Sequence, residues 1–140
     1  MILLDTDTLT HFAYGKTNVR HQIESLDNQE QLAIAVITRY EILRGRAENL
    51  LKAANEQELQ QAATRFRQSE ELITSFTVVE FDANSISNFE RLRNDRNLNK
   101  MRRADMLIAC IALAHNALLI TRNIKDFYKV PGLRIDNWVD

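Results

Sequence analysis

The chain predicts an α/β domain of three layers, with a central parallel sheet between helices. Three observations lead there. Short apolar runs alternate with longer helical patterns, as strands buried on both faces do. Glycine occurs three times and proline once, which leaves little material for linkers, so residues 1–140 read as a single domain. Hydrophobic residues make up 45% and charged residues 26%, enough of each for a core and a solvated surface.

Taken in order, residues 1–4 (MILL) predict a buried strand that stops abruptly at Asp5. Residues 18–27 read as helical, and 32–37 (LAIAVI) as a second buried strand. Helical patterns follow over 38–54 and 56–74. A third strand is expected at 77–81 (TVVEF), a helix at 83–97, and a very apolar helix at 103–116. Residues 117–121 (ALLIT) supply a fourth strand. A turn at Pro131-Gly132 precedes LRIDNW, which fits an edge strand.

The stretch 48–71 (ENLLKAANEQELQQAATRFRQSEE) is polar and helix-favouring. Leu50, Leu51, Ala54, Leu59, Ala62, Ala63 and Phe66 are expected to share one apolar stripe. Two arrangements satisfy it: an amphipathic pair packed on the edge of the domain, or a protruding helical arm that grips a partner.

The net charge of −1 excludes a global basic field, so any nucleic-acid binding must come from local patches. A single cysteine excludes an intramolecular disulfide and fits a reducing cytoplasm. The opening apolar run has no basic lead, so no secretory signal is expected, and nothing approaches the ~18 apolar residues of a spanning helix.

Four acids stand at telling places. Asp5 ends the first strand, and Glu41 lies about one turn into the helix after the second. Asp105 opens the most apolar helix, and Asp126 follows the fourth strand. In an open parallel sheet, strand C-termini and the following helix N-termini share one edge, where ligands bind. Convergence there is expensive: two carboxylates ~4 Å apart repel by about 4 kcal/mol at an effective dielectric near 20. A cluster would therefore need shared protons or a cation, and oxygen ligands without Cys/His spacing favour Mg²⁺ or Mn²⁺ over zinc. Each acid also has an ordinary alternative as a helix cap or first-turn residue. Glu41 follows Thr38 at capping-box spacing, and Asp126 would suit a short helix or turn.

These residues resemble a known family. LDTD is similar to the opening of PIN-domain nucleases, where LDTN is usual, and TRYEILRG to their glutamate-bearing helix. ADMLIACIALAHNALLITRNIKDF resembles their most recognisable stretch, and VPGLRIDNW the tails of the VapC-type toxins among them. The resemblance implies a PIN-like fold and a Mg²⁺- or Mn²⁺-dependent endoribonuclease, the toxin of a toxin–antitoxin pair. It carries the catalytic and metal roles onto Asp5, Glu41, Asp105 and Asp126, with an activated water cutting the RNA phosphodiester. Asp5 and Asp105 would flank the ion, while Glu41 and Asp126 reach it through waters or hold a second one. Thr121 and Asn123 would orient ligands. Asp7 stands where the family often has Asn, so it either alters ion binding or faces away. The resemblance also implies a homodimer and a small antitoxin whose tail occupies the acidic cleft, with 48–71 as its docking surface.

A polyanion beside four acids calls for cations. Arg39, Arg44 and Arg46 flank Glu41; Lys100, Arg102 and Arg103 precede Asp105; Arg122 and Lys125 bracket Asp126. Such a phosphate track suits single-stranded RNA. Cys110 reads as a core residue, and His11, His21 and His115 lack the context of a triad. Two rivals remain. LDTDTL approaches the DxDx[T/V] motif of phosphatases with a nucleophilic Asp, although Leu9 occupies its last position; the other rival is a non-catalytic binding module of the same fold.

Overall fold

The computed structural model describes residues 1–140. Five strands form the sheet: β1 (Ile2–Leu4), β2 (Leu32–Ala35), β3 (Thr77–Val79), β4 (Leu118–Ile120) and β5 (Arg134–Asp136). Seven helices accompany them: α1 (Thr6–Ala13), α2 (Thr17–Glu24), α3 (Val36–Lys52), α4 (Glu56–Ile73), α5 (Ala83–Arg93), α6 (Arg103–Ala114) and α7 (Ile124–Phe127). A short 3-10 turn, Arg96–Leu98, precedes α6. The sheet is parallel throughout and ordered β3-β2-β1-β4-β5.

That order places a switch point beside the first strand. From β1 the chain moves outward through β2 to β3, then returns to the other side of β1 for β4 and β5. Ile2, Leu3 and Leu4 sit in register with Leu118, Leu119 and Ile120. Connections leaving the C-terminal ends of β1 and β4 diverge, which opens a crevice between them. Asp5 leaves β1 at this crevice, and its backbone N–H still bonds to Ile120 at 3.0 Å.

Alternation along the strands divides the core between the two faces. Leu3, Ala33, Ala35 and Leu119 pack with Leu92, Ile108, Ile111 and Phe127, which come from α5, α6 and α7. Ile2, Leu4, Ile34 and Ile120 pack with Leu9, Ile73, Phe76 and Trp138 on the opposite side. The three-layer α/β/α expectation is met.

Three local expectations need correction. The helix α1 was not foreseen: only Thr8 and Leu9 in its eight residues are buried, too short a stripe for periodicity to reveal. The second strand ends at Ala35 rather than residue 37, because Val36 and Ile37 begin α3 and their side chains pack inward from its first turn. The apolar stripe of 48–71 does not form. Leu51 is 88% exposed and Leu59 50%, and the buried face of α4 is Ala62, Ser69 and Ile73. The break at Ala53–Asn55, where the Asn55 side chain caps α4 at the Glu58 N–H, resets the helical phase and separates the two halves of that stripe. The arm is an α3–α4 hairpin folded back on itself, tied by Arg46 Nε donating to Ser69 Oγ at 3.1 Å.

Candidate active site

Asp5 is both a helix cap and a cleft wall. Its Oδ1 accepts the Thr8 N–H at 2.8 Å, which terminates β1 and starts α1 in one residue. Only 5% of it is exposed, and it has no ion pair. Burial pushes its pKa above the ordinary carboxylate value, against hydrogen bonds from Thr121 and Thr8 that pull it down. Asp7 adds a smaller push upward.

Asp105 arrives from the other direction, in the first turn of α6, and is also buried. Asp5 and Asp105 line one cleft of about 290 Å³ together with Thr6, Asp7, Arg102, Arg122 and Asn123. No hydrophobic side chain lines it. A wholly polar hollow at the switch point of a parallel sheet is where charged ligands are held.

Glu41 and Asp126 join this cleft through intermediaries. Thr6 Oγ1 donates to Glu41 Oε1 at 2.6 Å, and a second bond of 3.1 Å links Thr6 Oγ1 to the Thr38 hydroxyl. Arg102 Nη1 donates to Glu41 Oε2 at 3.4 Å, while Nη2 donates to Asp105 Oδ1 at 3.1 Å. Asn123 Nδ2, from the cleft wall, donates to Asp126 Oδ2 at 3.0 Å. Thr121 is fully buried, and its Oγ1 accepts the Asn123 N–H at 2.9 Å. Thr121 therefore supports Asp5 and Asn123 at once.

The capping-box alternative for Glu41 fails, because α3 starts at Val36 and Ala35 holds its cap position without a side-chain bond. Thr38 instead lies buried inside the helix. Thr6 and Thr8 were missed by the sequence reading. The signal is DTDT, where hydroxyls alternate with carboxylates, and Asp7 is its most exposed member. That residue is half exposed and lies 3.6 Å from His11 Nε2 and 3.8 Å from Arg122 Nη1.

The arginines divide. Arg102 and Arg122 line the cleft. Arg39 pairs with Glu80 at 3.3 Å and Arg44 with Glu48 at 3.1 Å, and Arg103 lies 5.0 Å over the Phe89 ring. Those three are engaged elsewhere. Proximity in sequence did not translate into proximity in space, because successive residues of a helix point about 100° apart.

As the side chains stand, no three His, Cys, Asp or Glu residues are close enough together to hold one ion. Arg102 meanwhile supplies the counter-charge for Asp105 and Glu41 that a cation would supply. The donor chemistry fits a hard divalent ion: two buried carboxylates, one without any cation partner, beside the oxygens of Thr6 and Asn123. Asp5 and Asp105 would hold it, while Glu41 is engaged by Thr6 and Arg102.

Residues 2–133 match the PIN domain family. The chain belongs to this family. The ribonuclease VapC2 of Rickettsia felis is 28% identical over 120 residues, which cover 84% of this chain and 82% of that one. Among solved structures, VapBC-1 from nontypeable Haemophilus influenzae matches with a TM-score of 0.81 at 25% identity over the whole of both chains. VapBC2 from Rickettsia felis bound to a promoter DNA fragment gives 0.79 at 24%, with 99% of each chain covered. As a PIN domain, the chain has its acidic cleft at the β1/β4 switch point.

Proposed function

We propose that this PIN domain is a divalent-metal-dependent endoribonuclease and the toxin of a type II toxin–antitoxin pair. One observation carries the chemistry. Asp5 and Asp105, a hundred positions apart in sequence, line a single cleft with no apolar wall. The similarity to a ribonuclease VapC2 and to VapBC assemblies supports the substrate class and the existence of a protein partner.

Mg²⁺ or Mn²⁺ bound here would lower the pKa of a water and offset charge growing on the phosphoryl oxygens. The protein's part is positioning. Asp5 and Asp105 would supply ligand oxygens, Glu41 or Asp126 takes the one proton that the attacking water loses as the bond from phosphorus to the 3′-oxygen breaks, and Thr6 and Asn123 fix those two carboxylates in place. Arg102 and Arg122, both at the cleft, meet the phosphates on either side of the scissile bond. No side-chain nucleophile is needed: Cys110 is fully buried in α6, away from the cleft lining.

The antitoxin would place its tail in the same cleft and rest on the α3–α4 hairpin, with an arginine of its own satisfying the acids as Arg102 does in this structure. A homodimer is part of the same proposal. No helix is long and apolar enough to cross a membrane.

The test is sequencing of RNA 5′ ends after pulsed expression of wild type and Asp105→Asn. Discrete cut sites that vanish in the variant support the reading. Identical end profiles would overturn it, and a phosphoryl group trapped on Asp5 would revive the phosphatase alternative.

A further inference from the structure

We propose that the RNA strand continues out of the acidic cleft, over α1, into a basic groove between α1–α2 and the α3–α4 hairpin. There Arg20, Arg46 and Arg65 meet its phosphates and Tyr14 stacks on a base. The inference rests on the ribonuclease reading and adds a binding site to it.

A hollow of about 420 Å³ lies between these helices, walled by Phe12, Tyr14, Arg20, Arg46, Arg65 and Gln68 among others. No carboxylate lines it. All three arginines lack an acidic partner, unlike Arg39, Arg44, Arg93, Arg102 and Arg122, each of which has one. Arg46 donates to the Ser69 hydroxyl, Arg20 lies 5.7 Å over the Phe12 ring, and Arg65 is exposed. In a chain of net charge −1, three uncompensated guanidinium groups facing one hollow mark it for an anion.

Continuity with the cleft argues for a polymer. A shallower hollow shares Thr6 with the acidic cleft and shares Tyr14 and Arg46 with the groove. Its two acids are already answered, Glu41 by Arg102 and Glu48 by Arg44. Tyr14 is 74% exposed at the junction, an aromatic face with nothing packed over most of it. Bases stack on such faces regardless of sequence, while arginines track the backbone. On the other flank of the cleft, Arg122 already shares its charge with Asp7 and Asp140. A strand held at Asp5 and Asp105 therefore finds its free positive charge toward α1.

Fluorescence anisotropy with a single-stranded RNA of about a dozen nucleotides, in EDTA and across a salt series, tests this. The double variant Arg20→Gln/Arg65→Gln changes only exposed side chains. It is expected to bind about tenfold more weakly, with a salt slope shallower by roughly 1.4, since each phosphate contact on a single strand contributes about 0.7. Tyr14→Ala is expected to weaken binding about fivefold and leave the slope alone. Arg67→Gln/Arg96→Gln, also exposed but outside the groove, is expected to behave as wild type. Unchanged affinity and slope in Arg20→Gln/Arg65→Gln overturn the site. If wild type still cuts RNA in an Asp105-dependent way, the ribonuclease reading survives that loss. RNA binding retained while a co-expressed antitoxin is released would also overturn the proposal and give the groove to the protein partner. Wild type that neither binds nor cuts any RNA removes both.

Discussion

Arg102 straddles the Asp105 carboxylate, Nη2 3.1 Å from Oδ1 and Nε 3.4 Å from Oδ2. The same guanidinium reaches Glu41 at 3.4 Å, so one cation answers two acids from separate helices. Both acids in turn hold Arg102 firmly protonated, Asp105 more strongly than Glu41. An ion binding at Asp105 must compete with this contact. Arg102→Gln should therefore tighten Mn²⁺ binding, by about threefold given that Arg102 is 64% exposed and exposed pairs contribute up to about 1 kcal/mol. Titration calorimetry on the two proteins reads the difference. Weaker binding in the variant would show that Arg102 organises the ligands rather than competing for them.

Asp5 is costly to keep ionised where it stands. Its folded carboxyl holds a proton to higher pH than the unfolded one, because burial disfavours the charge. The native state then binds more protons across that window, and stability falls as pH rises from the ordinary carboxylate range through the raised value. Asp5→Asn keeps an acceptor for the Thr8 N–H and removes the buried charge. In chelator at pH 7, the variant should melt higher by roughly 3–6 °C, the span that ~1 kcal/mol produces in a domain of this size. At pH 4 the gain should shrink. Adding Mg²⁺ should raise the midpoint of wild type and leave the variant where it was, and RNA cleavage by the variant should be lost. A variant less stable than wild type at pH 7 in chelator would show that the Asp5 carboxylate is already well compensated.

Thr6 is the hinge between α1 and Glu41. Thr6→Val keeps the shape and deletes the hydroxyl that holds Oε1 at 2.6 Å. Losing one bond to a charged, half-buried acceptor should cost about 1.5–3 kcal/mol of stability. Under the proposed chemistry, kcat should fall while KM stays near wild type, since Glu41 loses its aim and the arginines do not. Thr6→Ser should restore most of both. A Val variant with full kcat would remove Thr6 from the positioning of Glu41.

The three inner strands were legible because β1, β2 and β4 are apolar on every residue, and Leu3, Ala33 and Leu119 are fully buried. The placement of Asp5 and Asp105 was legible for a related reason: Asp5 ends one apolar run and Asp105 opens another, and both are buried. What the sequence concealed is angular. Arg39, Arg44 and Arg103 stand close to the acids along the chain but leave their helices toward Glu80, Glu48 and Phe89. Arg20 and Arg65 stand far from them in sequence and face a hollow that connects with the cleft. Helix α1 was hidden by its length, and with it went Thr6, whose role depends on the turn that α1 makes at Asp5.

Cys110 tests the depth of α6. The residue is fully buried, its backbone carbonyl accepts from Asn88 Nδ2 at 3.0 Å, and burial pushes its thiol up to about 11. At pH 8 that leaves roughly one thiol in a thousand ionised, and the thiolate is the reactive form. Native protein should therefore resist a disulfide reagent such as DTNB for as long as the fold persists. In concentrated guanidinium the single cysteine should react fully. Intermediate denaturant should reveal whether labelling follows global unfolding, as expected for a helix packed between the sheet and α5. Labelling that runs ahead of the loss of far-UV dichroism would mean that α6 opens on its own. Asp105, five residues upstream on the same helix, would then be carried by a mobile element rather than a fixed one.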